Sequence, residues 1–254
     1  MSKRSTPFSG WLLPALTALA LVWPMASLAQ GIDPEAVKLL RKSTDYLASA
    51  KQFSVEADTA IDAVMFTGQK LQFGHRVALT VQRPNKLRAE RVGELISQTF
   101  YYDGESLSVS VPKERYHATV SAPPTMDAML DFARDKLDVV APAADLVYGN
   151  AFARLMEGLT SAFFVGEAVV GGAQCDHLAF RNAEVDWQIC IQRGDKPLPL
   201  KFVVTSKKMP QSPQFVVVLS KWDTAPKITD AMFRFAPPKE SRPIDFLPAP
   251  GATK

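Results

Sequence analysis

Residues 53–81 read FSVEADTAIDAVMFTGQKLQFGHRVALTV, and their period decides the fold. Phe53, Val55, Ala57, Thr59, Ile61, Ala63 and Met65 alternate with Ser54, Glu56, Asp58, Ala60, Asp62 and Val64. Leu71, Phe73, His75, Val77, Leu79 and Val81 then alternate with Lys70, Gln72, Arg76, Thr80 and Gln82. A period of two sends successive side chains to opposite faces, so both runs predict long, half-buried strands. One apolar and one wet face is the mark of an antiparallel sheet.

Working outward, Arg83-Pro84-Asn85 ends the second strand, and Lys86–Val92 and Ser97–Tyr102 read as the next two. Asp103-Gly104 is a hairpin turn leading into Leu107, Val109 and Val111, and Glu114–Val120 is a further strand. Upstream, Asp33-Pro34-Glu35 starts a helix: Asp33 caps free amides, Pro34 suits the first turn, and Glu35 faces the positive end of the dipole. Val37, Leu40, Tyr46 and Leu47 give that helix its apolar side. After Ala122-Pro123-Pro124 the period turns helical, with Met126, Met129, Leu130, Ala133 and Leu137 on one side of a helix from Thr125. Ala143–Leu159 holds one or two shorter helices carrying Phe152, Leu155 and Met156. Strands resume at Phe163–Val170, Gln174–Arg181, Val185–Gln192, Leu198–Ser206 and Gln214–Trp222, and a Pro-rich tail from Ala236 reads as irregular. The fold class is therefore α+β: one domain, a large curved antiparallel sheet with helices over one face.

The start of the chain is an address. Lys3 and Arg4 precede an apolar run from Gly10 to Trp23, and Ser27-Leu28-Ala29 puts small residues at a cleavage site. This order predicts a cleaved secretory signal over residues 1–29, a single domain over 30–254, and a periplasmic protein. The apolar run is shorter than the ~20 residues that span a bilayer.

The two cysteines follow from hairpin geometry. If Asn182-Ala183 is a two-residue loop, Cys175 opposes Cys190, Leu178 opposes Trp187, Phe180 opposes Val185 and Asp176 opposes Ile189. Opposed residues have Cβ atoms about 4.5–5.5 Å apart, near disulfide range, and an oxidising compartment would bridge them. No C-x-x-C motif is present, which disfavours thiol exchange.

With 29 Lys+Arg against 26 Asp+Glu, charge gives no reason to expect nucleic-acid binding. There is no G-x-S-x-G, H-E-x-x-H, Walker or G-x-G-x-x-G motif, so neither catalysis nor a cofactor is expected. Two cysteines and three histidines leave little for a metal site, and none is expected. His75, His117 and His177 read as packed or solvated strand residues, although His75 lies on the apolar face. Glu56, Asp58 and Asp62 read as a solvated sheet surface. Arg83, Lys86, Arg88 and Arg91 read as charges guarding an exposed sheet edge, with acidic lipid headgroups or a protein partner as the alternative.

A resemblance adds to this. Cys175–Phe180, Val185–Ile189, Gly194–Lys201, Pro213-Gln214-Phe215, Lys221-Trp222 and Phe233–Pro238, with the opening helix, Phe53-Ser54-Val55 and Arg83–Leu87, resemble an uncharacterised family of predicted periplasmic bacterial proteins. The layout is similar to the lipoprotein-carrier superfamily (LolA/LolB-like), whose Arg-Pro-x-x-x-Arg strand start Arg83–Arg88 resembles. That likeness implies an open half-barrel with an N-terminal helix and middle helices over an apolar concave face.

The expected function is a non-enzymatic binder or carrier of an apolar ligand, a lipid or a lipidated protein. The alternative is an interaction or sensor module meeting a membrane-anchored protein partner on the same scaffold. The candidate cavity lining is Phe53, Val55, Ile61, Leu71, Phe73, Val77 and Leu79 from the strands, with Met126, Met129, Leu130, Phe152 and Met156 from the covering helices. A lipid or acyl chain is the expected partner; the methionines read first as helix core, with a flexible lid that repacks at small cost as the alternative.

Overall fold

The computed structural model describes residues 31–246; the signal segment predicted over 1–29 lies outside the described residues. Helix α1 (Pro34–Ser49) is followed by β1 (Gln52–Val64), β2 (Lys70–Gln82), β3 (Lys86–Gly93), β4 (Gln98–Tyr102), β5 (Ser106–Val111) and β6 (Tyr116–Ser121). Two middle helices come next, α2 (Met126–Leu137) and α3 (Ala151–Met156). The second run of strands is β7 (Ser161–Val170), β8 (Ala173–Arg181), β9 (Val185–Gln192), β10 (Pro199–Ser206) and β11 (Gln214–Asp223), and a two-residue β12 (Arg242–Pro243) comes last. All twelve strands form one sheet, ordered β12-β6-β5-β4-β3-β2-β1-β11-β10-β9-β8-β7. It is antiparallel except where β12 joins β6, and it does not close: β7 and β12 are its two edges. The expected open α+β half-barrel is what forms.

The 13-residue β1 and β2 are the spine, paired from Gln52↔Gln82 to Val64↔Lys70. Their alternation sets the two faces of the sheet. The inner face carries Phe53, Val55, Ala57, Val81, Leu87, Tyr102 and Leu107, all buried with Leu40 and Leu47 of α1 and Met126 and Met129 of α2. The outer face of β1 and β2 is charged: the side chains of Asp58 and Glu56 are exposed and pair with Arg76 at 3.3 Å and Lys221 at 2.8 Å, whereas the Asp62 side chain, expected to be solvated, is only 6% exposed, 3.1 Å from Lys70.

Both ends of the sheet are blunted by segments that satisfy part of the edge amides. Asp33 caps α1 by accepting from the Glu35 amide at 2.9 Å, and its other carboxylate oxygen accepts from the Phe164 amide of β7 at 3.3 Å. The Asp33 amide donates to Ala162 O, and the Ala162 amide donates to Gly31 O. At the other end β12 pairs with β6.

Three expectations need correction. The tail from Ala236 is not simply irregular: just before it Phe233 is buried and Phe235 packs on Tyr101 and His117, and within it Ser241 Oγ lies 2.7 Å from His117 Nδ1 before β12 pairs with β6. This segment therefore lies over part of the outer face of β4–β6, where Thr99, Ser108 and Ser110 are buried, while Thr119 and Ser121 of β6 stay exposed. Second, β3 lies between β2 and β4, so its basic residues guard no edge.

Third, the β8–β9 register differs from the expected one by two residues. Cys175 opposes Gln192, His177 opposes Cys190, Leu178 opposes Ile189, Phe180 opposes Trp187, and Asp176 opposes Ile191. Asn182 Oδ1 accepts from the amides of Glu184 and Val185, making a longer turn than the two-residue loop that was expected. The disulfide Cys175–Cys190 nevertheless forms, across a diagonal whose Cα atoms are 5.5 Å apart. It sits on the outer face over a small second cluster with Leu200, Ala168, Val170 and Trp222.

Candidate ligand site on the inner face

The twelve candidate lining residues fall into groups. Phe53, Val55, Met126 and Met129 are at most 3% exposed and form the packed core. Val77, Leu79, Leu130, Phe152 and Met156 are partly buried against that core, whereas Met126 and Met129 lie wholly within it. These two methionines are thus core side chains and not a loose cover. Ile61, Leu71 and Phe73 also lie on the inner face, partly buried toward the β1–β2 tip but outside the core cluster. The pairing Ile61↔Phe73 and Ile61↔Phe215 makes them an apolar strip continuing from the core beyond the helices.

The middle helices are tied down by polar contacts. Arg83 Nη2 donates to Val147 O at 2.7 Å, and the Met126 amide donates to Pro84 O. Asp131 accepts from Tyr148 Oη at 3.0 Å, Arg154 at 3.1 Å and Arg134 at 3.0 Å. Arg154 also covers the Tyr148 ring, and Arg41 of α1 covers Phe152 of α3. Burial, then the Asp131 bond, pushes the Tyr148 phenol up to about 12, so it stays a donor at any physiological pH. Two recesses stand out, about 220 Å³ between α1 and α3 beside Arg41 and Phe152, and about 140 Å³ on the outer face beside His177 and Lys201. Neither is lined by the candidate strand residues.

Between core and strip lies a polar spot that sequence reasoning only half identified. His75 is 5% exposed, and its Nε2 lies 2.7 Å from Arg91 Nη2. A guanidinium can only donate, so the imidazole accepts and is neutral, with its proton on Nδ1. Burial and then the Arg91 charge hold the His75 pKa below its ordinary 6.5, with Glu94 opposing. Gly93 makes room: a Cβ there would stand 2.2 Å from His75 Cδ2. The basic stretch is dispersed by the strand order, with Arg83 on Val147 O, Lys86 on Asp230, Arg88 on Glu90 and Arg91 on His75.

The sign of the His75 titration gives one prediction. The unfolded chain takes up this proton first, so stability is full above about pH 6.5 and falls as pH drops toward the lower folded value. His75→Gln should flatten that part of the curve. Identical pH slopes for the two proteins in urea titrations would refute it.

With this geometry in hand, the chain can be set beside known proteins. No curated protein matches it. An uncharacterized conserved protein from Thermus thermophilus is similar at 11% identity and a TM-score of 0.48, over 83% of this chain and 97% of that one. The Mycobacterium tuberculosis lipoprotein LppX is similar at 13% identity and 0.47, over 78% and 100%. A LolA superfamily protein from Nitrosomonas europaea is similar at 10% identity and 0.41, over 79% and 97%. These likenesses concern the course of the chain and carry nothing about ligands. The model of the family described as "Predicted periplasmic protein (DUF2092)" matches residues 36–247, so the chain belongs to that family and is periplasmic.

Proposed function

We propose that this protein is a non-enzymatic periplasmic binder or carrier of an apolar, chain-like ligand, held on the inner face along Ile61, Leu71 and Phe73. The observation that carries this reading is that apolar strip, joined to the core through Phe215 and left partly exposed. Burying a ligand methylene there is favourable by about 0.8 kcal/mol. Rigid strands supply the surface, and the clamped helices bound it without having to open. The test uses the neutral fluorescent probe phenylnaphthylamine with protein recovered from the periplasm. The wild type should bind it, and Phe73→Asp should weaken binding by at least about tenfold, because a charge is then desolvated by the probe. If the wild type binds the probe no better than an unrelated β protein, the reading fails.

A second reading, an interaction module for a membrane-anchored protein, is favoured by the filled interior under the helices. It is also favoured by exposed apolar side chains on the loops, Phe66 at 99%, Leu95 at 61% and Met209 at 55%. Failure of probe binding with retained folding would make it the leading one.

A further inference from the structure

The polar spot beside the strip has an unusual charge balance. Arg91 lies on the inner face of an internal strand, directly across from Val77 on β2 and Gln98 on β4. It is half-buried, and burial lowers its pKa. Among the described residues its side chain has one hydrogen bond, to the neutral His75, and makes no ion pair. The nearby Glu94 carboxylate accepts from the Gly74 amide at 3.1 Å and does not reach Arg91. A cation half-withdrawn from water without a counter-ion is costly, and an arriving anion removes that cost. The guanidinium fork matches a carboxylate, and one cation matches one negative charge. The Val77 row and the Leu71 row are separated along β2 by about 20 Å at ~3.3 Å per residue. That span matches the length of an extended long acyl chain lying along Phe73 and Ile61.

We propose that Arg91, oriented by His75, is the headgroup site of the inner face and that the ligand is a single-chain fatty acid, its carboxylate on Arg91 and its tail along Phe73, Ile61 and Leu71. This rests on the apolar-binder reading and names its ligand class. Gln98, the amide that the register places opposite Arg91, is the second donor available to the carboxylate.

The experiment displaces bound phenylnaphthylamine with oleate, with oleyl alcohol and with oleoyl lysophosphatidate. Oleate should displace it from the wild type at about tenfold lower concentration than oleyl alcohol. Arg91→Gln should abolish that preference and leave oleyl alcohol unchanged, and Arg91→Lys should restore part of it. Equal displacement by oleate and oleyl alcohol overturns the headgroup site while leaving the apolar binder standing. No probe binding at all overturns the apolar binder instead. Tighter displacement by the lysophosphatidate overturns the carboxylate assignment. An equal loss for both oleyl ligands in Arg91→Gln makes Arg91 structural and also overturns the proposal. If Arg91→Gln does not fold, the carboxyl resonance of carbon-13-labelled oleate on the wild type decides: it should stay ionised well below the carboxyl's ordinary range, and an ordinary titration refutes the contact.

Discussion

Phe53→Ala should destabilise the protein by about 3–5 kcal/mol, enough to unfold a large fraction of a marginal domain. The ring is fully buried, opposite the equally buried Val81, with its centroid 5.7 Å from that of Trp222. Strand β1 is hydrogen-bonded on both sides, to β2 and β11, so the backbone cannot close over the lost volume. The lost transfer energy and the cavity term then both count. The control is Phe73→Ala, the same chemical change on the neighbouring strand and the same face, at a partly buried site outside the core cluster. Its loss should be less than half as large in urea unfolding. Comparable losses would mean that the inner face is one continuous core and would remove the distinction on which the ligand strip depends.

What could be read from the sequence was whatever depends on near neighbours. The alternation of residues 53–81 located β1 and β2 and their faces, and Asp33 and Thr125 marked the two helix starts that they cap. Features set by distant partners were not legible. The single wet face expected of the sheet fails at Thr99, Ser108 and Ser110, because the segment around Phe235 that covers this face lies more than a hundred residues away. Arg91 read as an edge charge because nothing local says that β4 lies beside β3. The candidate strand residues share the inner face that the alternation gave them. Their division into core and strip depends on how far α1, α2 and α3 reach across it, which periodicity does not encode. The β8–β9 register escaped for a different reason. A shift of two residues keeps every side chain on its own face, so the hydrophobic pattern cannot detect it. The turn decides, and Asn182 decides the turn by holding the amides of Glu184 and Val185.

That register bears on the second large effect. Replacing Cys175 and Cys190 together by Ala should cost about 3 kcal/mol, the chain-entropy value for a loop near the 15 residues separating them. The bridge closes only its own hairpin, so its work lies in the unfolded chain, where it forbids β8 and β9 from separating. The folded hairpin has independent support: Phe180 stacks on Trp187 with ring centroids 3.9 Å apart, and Arg181 pairs with Asp186 at 2.7 Å. The double variant should therefore keep its fold and shift its urea midpoint downward. Adding reductant should shift the wild type by the same amount and leave the variant unmoved. A wild-type shift below about 0.5 kcal/mol would mean that the Asn182 turn and the aromatic stack already hold the hairpin together in the unfolded chain, leaving the disulfide little entropy to remove.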